Sequence, residues 1–339
     1  MVEYVGRQEP PHRVNRPRRR SWPAATVLGT PAAVSDERLF QHSVVSPLRY
    51  PGAKRQLVPI MELIVRANVP RPKLIVEPFC GGASMTLRLL GTGQVPHGIL
   101  ADFDPLVAAF WKTAAFDSEW LIEALGQESV TVDRWDWWRE LTPTHRRDKA
   151  LKCIFLNRTT FSGILHGRAG PIGGRSQLSA YKIDCRFGLD GLVRRIRGVA
   201  DLAASGRLID VWEADWKTSL ERTKSRFPML SSRETLVYVD PPYVDKAEWL
   251  YPWAFAARDH RKLATYLRTE AKFAWLLSYD DHQDIRDLYL PEEKFSVLHV
   301  SQRYTAAGSE RRSTKDELLV TNLETIPESD TYRELSRSS

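Results

Sequence analysis

An acid followed by two prolines and an aromatic, at the end of an apolar run, is the stretch of this chain best equipped for chemistry. Leu236-Val237-Tyr238-Val239 reads as a short buried strand, and Asp240-Pro241-Pro242-Tyr243 follows it directly. Neither proline has an N–H to give a strand ladder, so the chain must stop and turn at Asp240. In open α/β sheets the carboxyl ends of strands are where ligands bind. The stretch offers a carboxylate, backbone carbonyls free to accept hydrogen bonds, and a flat ring. That set suits an exocyclic amine on a planar base. The bland alternative is a strand closed by a proline turn, and four residues recur by chance. Other parts of the chain must decide.

Three more stretches repeat the pattern of an apolar strand ending in an acid. Lys73-Leu74-Ile75-Val76-Glu77-Pro78-Phe79-Cys80-Gly81-Gly82-Ala83-Ser84 reads as strand, tight loop and helix. Its paired glycines let backbone approach a ligand closely. It is neither the G-x-G-x-x-G fingerprint nor a P-loop, and Glu77 argues for a cationic ligand rather than a phosphate. Gly98-Ile99-Leu100-Ala101-Asp102-Phe103-Asp104 comes next, with Asp102 placed to meet ribose hydroxyls and Asp104 to cap a helix. Arg207 to Trp216 ends in Asp215 beside an aromatic. There an acid could accept from an adenine amine while Trp216 packs on a ring. Upstream, Ser46-Pro47-Leu48-Arg49-Tyr50-Pro51-Gly52-Ala53-Lys54 is a Pro-Gly loop opening into an amphipathic helix near Leu57, Ile60, Met61 and Ile64.

The elements that must position these groups form an α/β pattern interrupted once. The 339 residues allow one large or two ordinary domains. No run of about 18 apolar residues predicts a membrane span. The formal net charge of +7 permits a polyanionic partner. Three cysteines, Cys80, Cys153 and Cys185, match no zinc spacing and fit a reduced, cytoplasmic setting. Cys80 reads as a packing residue. Residues 1–43 read as a disordered basic tail, broken by prolines and carrying Arg16, Arg18, Arg19 and Arg20. Residues 44–111 and 201–325 read as the two parts of one catalytic domain, and 326–339 as a polar tail.

Residues 112–200 break the βα rhythm. Helical patterns (Trp120–Leu125, Trp135–Leu141, Ala150–Leu156) lead into a loop rich in glycine, arginine and aromatics. Asn157, Arg158, Phe161, Arg168, Arg175, Tyr181 and Lys182 lie on it, a composition suited to contacting nucleic acid. A second basic loop, between strands near 295–300 and 317–321, carries Arg311 and Arg312, either solvated or leaning on phosphates.

In this order the motifs resemble the DNA adenine N6-methyltransferases of the Dam-like D12 class. Leu48 to Lys54 looks like that family's amino-terminal cofactor motif, and Glu77 to Ser84 like its glycine loop. Ala101-Asp102-Phe103-Asp104 resembles the ribose-binding acid, Leu156 to Gly163 the start of the recognition region, and Asp240-Pro241-Pro242-Tyr243 the catalytic motif. The cofactor loop precedes the recognition region and the catalytic motif, as in the α group. Tyr50 stands where the family often has Trp, and Ala53 where it has glycine. The recognition region does not look like that of GATC-methylating members.

The resemblance implies a Rossmann-like S-adenosylmethionine-dependent sheet with an inserted, mainly helical target-recognition domain. It implies S-adenosylmethionine bound by Tyr50, Lys54, Glu77, Pro78, Phe79, Gly81, Asp102, Asp215 and Trp216, with Asp240 at the boundary with the target base. Catalysis would fall to Asp240, Pro241, Pro242 and Tyr243, without a metal. The partner implied is double-stranded DNA, with a cognate restriction nuclease possible. Methylation of cytosine N4 or an RNA base, or a catalytically inactive DNA-binding relative, are the alternatives.

Overall fold

The apolar runs that end in acids lie side by side as strands of one sheet. The structure is a computed structural model that describes residues 28–29, 44–49, 54, 57–243, 255–290, 294–303 and 314–335. Its strands are β1 (Leu74–Glu77), β2 (His97–Asp102), β3 (Leu208–Glu213), β4 (Thr235–Val239), β5 (Ala274–Asp280), β6 (Ser296–Arg303), β7 (Thr314–Thr321) and β8 (Arg333–Glu334). Their order is β3-β2-β1-β4-β5-β7-β6-β8. The first five are parallel; β7 runs antiparallel to β5, and β6 antiparallel to β7. Strand order reverses between β1 and β4, so the ends carrying Glu77 and Asp240 flank the switch point of a doubly wound sheet. This is the Rossmann-like architecture expected.

Alternation along each strand feeds two covered faces. Ile75, Leu100, Leu236, Tyr238, Leu276 and Leu319 join one buried cluster. Val237, Val239, Trp275, Leu277, Tyr279 and Val320 join another on the opposite face, and Leu74, Val76, Ile99 and Trp212 extend that face toward the β3 edge. Burying each such side chain contributes about 1.5–3 kcal/mol.

The first face carries α1 (Val58–Ala67), α2 (Ser84–Gly91), α3 (Pro105–Phe116), α4 (Ser118–Gly126), α5 (Val132–Glu140), α6 (Arg146–Thr159) and α7 (Leu189–Ala204). The second carries α8 (Trp216–Arg226), α9 (Ala257–Thr269) and α10 (Gln283–Tyr289). Local signals set their starts. Asp104 caps α3, accepting from Leu106 N with Pro105 at the first position, and Thr131 caps α5.

Helices and strands run across the expected bounds. The break placed at residue 112 falls inside α3, and that at 200 inside α7. α3 packs against α6 and α7, and α4–α7 share one core with α1 and α2, so the expected insertion is continuous with the catalytic core. Its helices bury long apolar stripes, which need the sheet-side helices as partners. The segment after 325 is also not merely a tail: β8 pairs with β6, while Ile326, Tyr332 and Leu335 pack on the core clusters. In the basic leader, Leu28 packs beside the β1–β3 cluster and Gly29 O lies 2.9 Å from His97 Nε2; its other residues lie outside the described ones. Among the described residues no helix is long and apolar enough to cross a membrane.

Candidate active site

At the end of β4 the prolines turn the chain, and Asp240 is held rather than loose. Ser278 of β5 donates to Asp240 Oδ1 at 2.8 Å, and the Tyr238 hydroxyl lies 2.8 Å from the same Ser278 oxygen. Lys54 Nζ is 3.6 Å from Oδ1. Among the described residues all these contacts fall on Oδ1; Oδ2 accepts none. Burial pushes the Asp240 carboxyl up to about 6, with Lys54 and Ser278 opposing that rise and Glu317 adding to it. Its side chain remains 23% exposed, so the carboxylate can be reached.

The amino-terminal loop reaches this point through Lys54. Its ammonium donates to Glu317 Oε2 on β7 at 3.0 Å and sits 3.9 Å from the centroid of the Tyr243 ring. The Tyr243 hydroxyl donates to the same Glu317 oxygen at 2.8 Å. One carboxylate thus gathers the loop lysine and the motif aromatic. Glu317 and Ser278 were not foreseen. Only the antiparallel register that sets Glu317 opposite Asp280 brings Glu317 here.

The loop itself is fixed from the α6 side. Asn157, with no exposed surface, accepts from Arg49 N at 2.7 Å and donates to Arg49 O at 2.8 Å and Gly163 O at 3.1 Å. Arg158 donates to Pro47 O, and Arg195 to Ser46 O at 3.2 Å. Gly163 has φ +74°, and a Cβ there would overlap Arg49 O, so glycine is required. Asn157 and Arg158 were expected at DNA. Instead they are interior struts, because α6 continues to Thr159 and turns them inward.

The glycine loop is pinned to the end of β2. Gly81 N donates to Asp102 Oδ2 and Asp104 N to Asp102 Oδ1, both at 2.9 Å, while Trp111 Nε1 donates to Gly81 O at 2.8 Å. Cys80 is buried with its Sγ 3.7 Å from Asp102, a packing role as expected. Glu77 is buried and accepts from Thr86 N at 3.2 Å. Burial raises Glu77 to about 8 and Asp102 to about 7. Neither has a basic side chain as an ion-pair partner among the described residues. Buried acids without a cation of their own are an arrangement that a cationic ligand would complete. Pro78 is buried, and Phe79 packs edge-on against Phe255 at 5.8 Å.

Asp215 lies just past β3 and caps α8, taking hydrogen bonds from Thr218 N and Oγ1 at 3.0 and 2.6 Å. Trp216 packs edge-on against Tyr266. A residue missed by sequence reasoning, His166, bonds through Nε2 to Asp104 Oδ2 at 2.7 Å and so ties the long loop to the end of β2. On that loop Phe161, Arg168, Arg175, Tyr181 and Lys182 are all exposed. Arg175 makes a two-pronged pair with Asp136 of α5, at 3.0 and 2.7 Å. Tyr50, Arg311 and Arg312 lie outside the described residues.

No curated protein matches the chain. A solved structure it is similar to is the rRNA methyltransferase AviRa from Streptomyces viridochromogenes, with 15% identity and a TM-score of 0.37 over 85% of this chain and 93% of that one. Residues 50–167 match the family described as D12 class N6 adenine-specific DNA methyltransferase. That span holds Lys54, the Glu77 glycine loop, Asp102 and the loop fixed by Asn157, and it stops short of Asp240. Over that span the chain is similar to the D12 class N6 adenine-specific DNA methyltransferases.

Proposed function

We propose that the chain takes a methyl group from S-adenosylmethionine and places it on N6 of an adenine flipped out of duplex DNA, with Asp240 as the catalytic carboxylate. The observation that carries this reading is the one-sided hold on Asp240: Oδ1 is occupied, and Oδ2 has no partner among the described residues. The donor's chemistry fits the neighbouring strand ends. When bound, S-adenosylmethionine supplies a methyl activated on a sulfonium. Its positive charges suit Glu77 and Asp102, which stand buried without a basic partner among the described residues.

The chain's own residues then do the rest. A paired adenine must leave the stack before its amine is reachable. Tyr243, whose ring lies 3.9 Å from the Lys54 ammonium, is the aromatic on which the flipped base stacks, contributing about 1–3 kcal/mol. Asp240 Oδ2 and the Pro241 carbonyl accept hydrogen bonds from the amine. They draw its lone pair out of the ring plane and stabilise the charge that grows on nitrogen. Phe161, Arg168, Arg175, Tyr181 and Lys182 are the exposed loop residues suited to hold the duplex.

Transfer of tritium from methyl-labelled S-adenosylmethionine to plasmid DNA, followed by nucleoside analysis, tests the reading. Label in N6-methyl-2′-deoxyadenosine from the DNA is expected. Label in cytosine or RNA, or none, would overturn it.

A further inference from the structure

We propose that Glu317 is a positioning residue for methyl transfer: it holds the Lys54 ammonium and the Tyr243 ring together beside Asp240, and keeps Lys54 from pairing fully with the catalytic carboxylate. The inference rests on the reading of Asp240 as that carboxylate. Its basis is geometric. Lys54 Nζ is 3.0 Å from Glu317 Oε2 but 3.6 Å from Asp240 Oδ1, so the ammonium leans toward Glu317. The same Glu317 oxygen takes the Tyr243 hydroxyl at 2.8 Å. Glu317 and Lys54 are buried, at 7% and 5% exposed, where a charge needs its partners.

Both partners belong to other parts of the site. Lys54 lies on the amino-terminal loop, 263 residues away, and Tyr243 ends the Asp-Pro-Pro-Tyr stretch. Lys54 also reaches that turn directly, 3.6 Å from Asp240 Oδ1 and 3.9 Å from the Tyr243 ring centroid, and Glu317 Oε2 is the acceptor shared by its ammonium and the Tyr243 hydroxyl. Without the Glu317 charge, the nearest carboxylate left to Lys54 is Asp240. A carboxylate fully paired with an ammonium is a poorer acceptor for an adenine amine, because the ammonium already satisfies the charge the amine would meet. Glu317 therefore sets how much of the Asp240 charge remains for the base. It also fixes the ring on which the base stacks.

The groups facing Asp240 are Lys54 from the loop, Glu317 from β7, Glu77 from β1, Tyr238 from β4, and Ser278 and Tyr279 from β5. Of these Lys54 lowers the Asp240 proton affinity and Glu317 raises it. Removing the Glu317 charge while keeping its shape must move the protonation of Asp240 to lower pH. A side chain that merely packed would have no such effect.

The experiment is single-turnover methyl transfer against pH for the full chain and for Glu317→Gln, Glu317→Asp and Asp240→Asn. Glu317→Gln keeps an acceptor for both donors. Its acid limb is expected to move down by about one pH unit, with the plateau rate falling about tenfold or more. Glu317→Asp keeps the charge but shortens the reach, so its acid limb should stay with the parent while the rate falls. An unmoved limb and a rate within about threefold in Glu317→Gln would overturn the proposal. Should Glu317→Gln not fold, the same decision rests on Glu317→Asp, where a rate within about threefold of the parent overturns it. Asp240→Asn separates the two readings. If it loses transfer while Glu317→Gln behaves as the parent, the role of Glu317 falls and that of Asp240 stands. If it keeps full transfer, the Asp240 reading falls and the Glu317 proposal falls with it.

Discussion

Replacing Asn157 should damage the fold and the 46–49 loop rather than grip on DNA. Asn157 has no exposed surface and satisfies three backbone groups: Arg49 N–H, Arg49 C=O and Gly163 C=O. Asn157→Ala leaves all three without that partner. A buried polar group left unpaired costs about 1–3 kcal/mol, and some relaxation of the 46–49 loop offsets part of the sum. We expect a loss of about 3 kcal/mol, which for a large domain lowers the melting temperature by roughly 6 °C. Asn157→Asp is the sharper perturbation. It removes the two donated hydrogen bonds and sets a second carboxylate oxygen against Arg49 O and Gly163 O. It should cost more than alanine, although it is nearly isosteric. Thermal unfolding by circular dichroism, paired with DNA affinity at a temperature where each variant is folded, decides the matter. Because Lys54 follows on the same loop, S-adenosylmethionine affinity should fall too. An unchanged melting temperature together with weakened DNA binding would show that Asn157 faces DNA, and would refute the reasoning.

Buried Glu77 and Asp102 and the half-buried Asp240 make the remaining expectations about pH and ligand. Glu77, Asp102 and Asp240 are raised by burial to about 8, 7 and 6, so the folded chain holds protons that the unfolded chain has released. Their contribution to stability is fully present below about pH 4 and is lost as pH rises through about 6 to 8, so the ligand-free melting temperature should fall across that window. A cationic ligand favours the ionised acids. S-adenosylmethionine binding should therefore release protons and tighten as pH rises; calorimetry in buffers of different ionisation enthalpy measures this, and zero release would contradict it. Asp102→Ala should weaken that binding clearly, since it also frees Gly81 N and Asp104 N from their shared acceptor. Arg168→Ala and Arg175→Ala should each weaken DNA binding and lower its salt slope by about one, with S-adenosylmethionine affinity unchanged; no change in slope would remove them from the interface.

Strand ends were legible because parallel strands bury both faces and read as unbroken apolar runs, so an acid at the end stands out. Glu77, Asp102 and Asp240 were found that way, and the structure sets Glu77 and Asp102 at the ends of β1 and β2 and Asp240 just past the end of the neighbouring β4. What escaped reading depends on pairing between distant segments. Glu317 sits in Asp316-Glu317-Leu318-Leu319-Val320, where sequence shows only a strand start, and its place is set by register with β5. Ser278 lies within an apolar strand as an ordinary small residue, until the Asp240 turn passes over it. Asn157 and Arg158 misled for a different reason. Polar residues before a glycine-rich loop read as loop, yet here they are the last turn of a helix facing inward, satisfying backbone that has no ladder of its own. Asp215 was placed at a strand end correctly, but both its oxygens serve a helix cap, a use that a sequence cannot separate from ligand binding.

The central claim is that the Asp240 carboxylate holds the amine that receives the methyl group. Single-turnover transfer of labelled methyl to DNA by Asp240→Ala and Asp240→Asn, with S-adenosylmethionine and DNA affinities measured on the same preparations, tests it most directly. A hydrogen bond to a charged group contributes about 1.5–3 kcal/mol, which alone is roughly a 10- to 100-fold change in rate. Misalignment of the amine adds to that. The account expects both variants to fold and bind DNA while transfer falls by about 100-fold or more in Asp240→Ala, and by a similar factor in Asp240→Asn if the charge matters more than the shape. Transfer by Asp240→Ala within about threefold of the parent chain, with affinities intact, would contradict it.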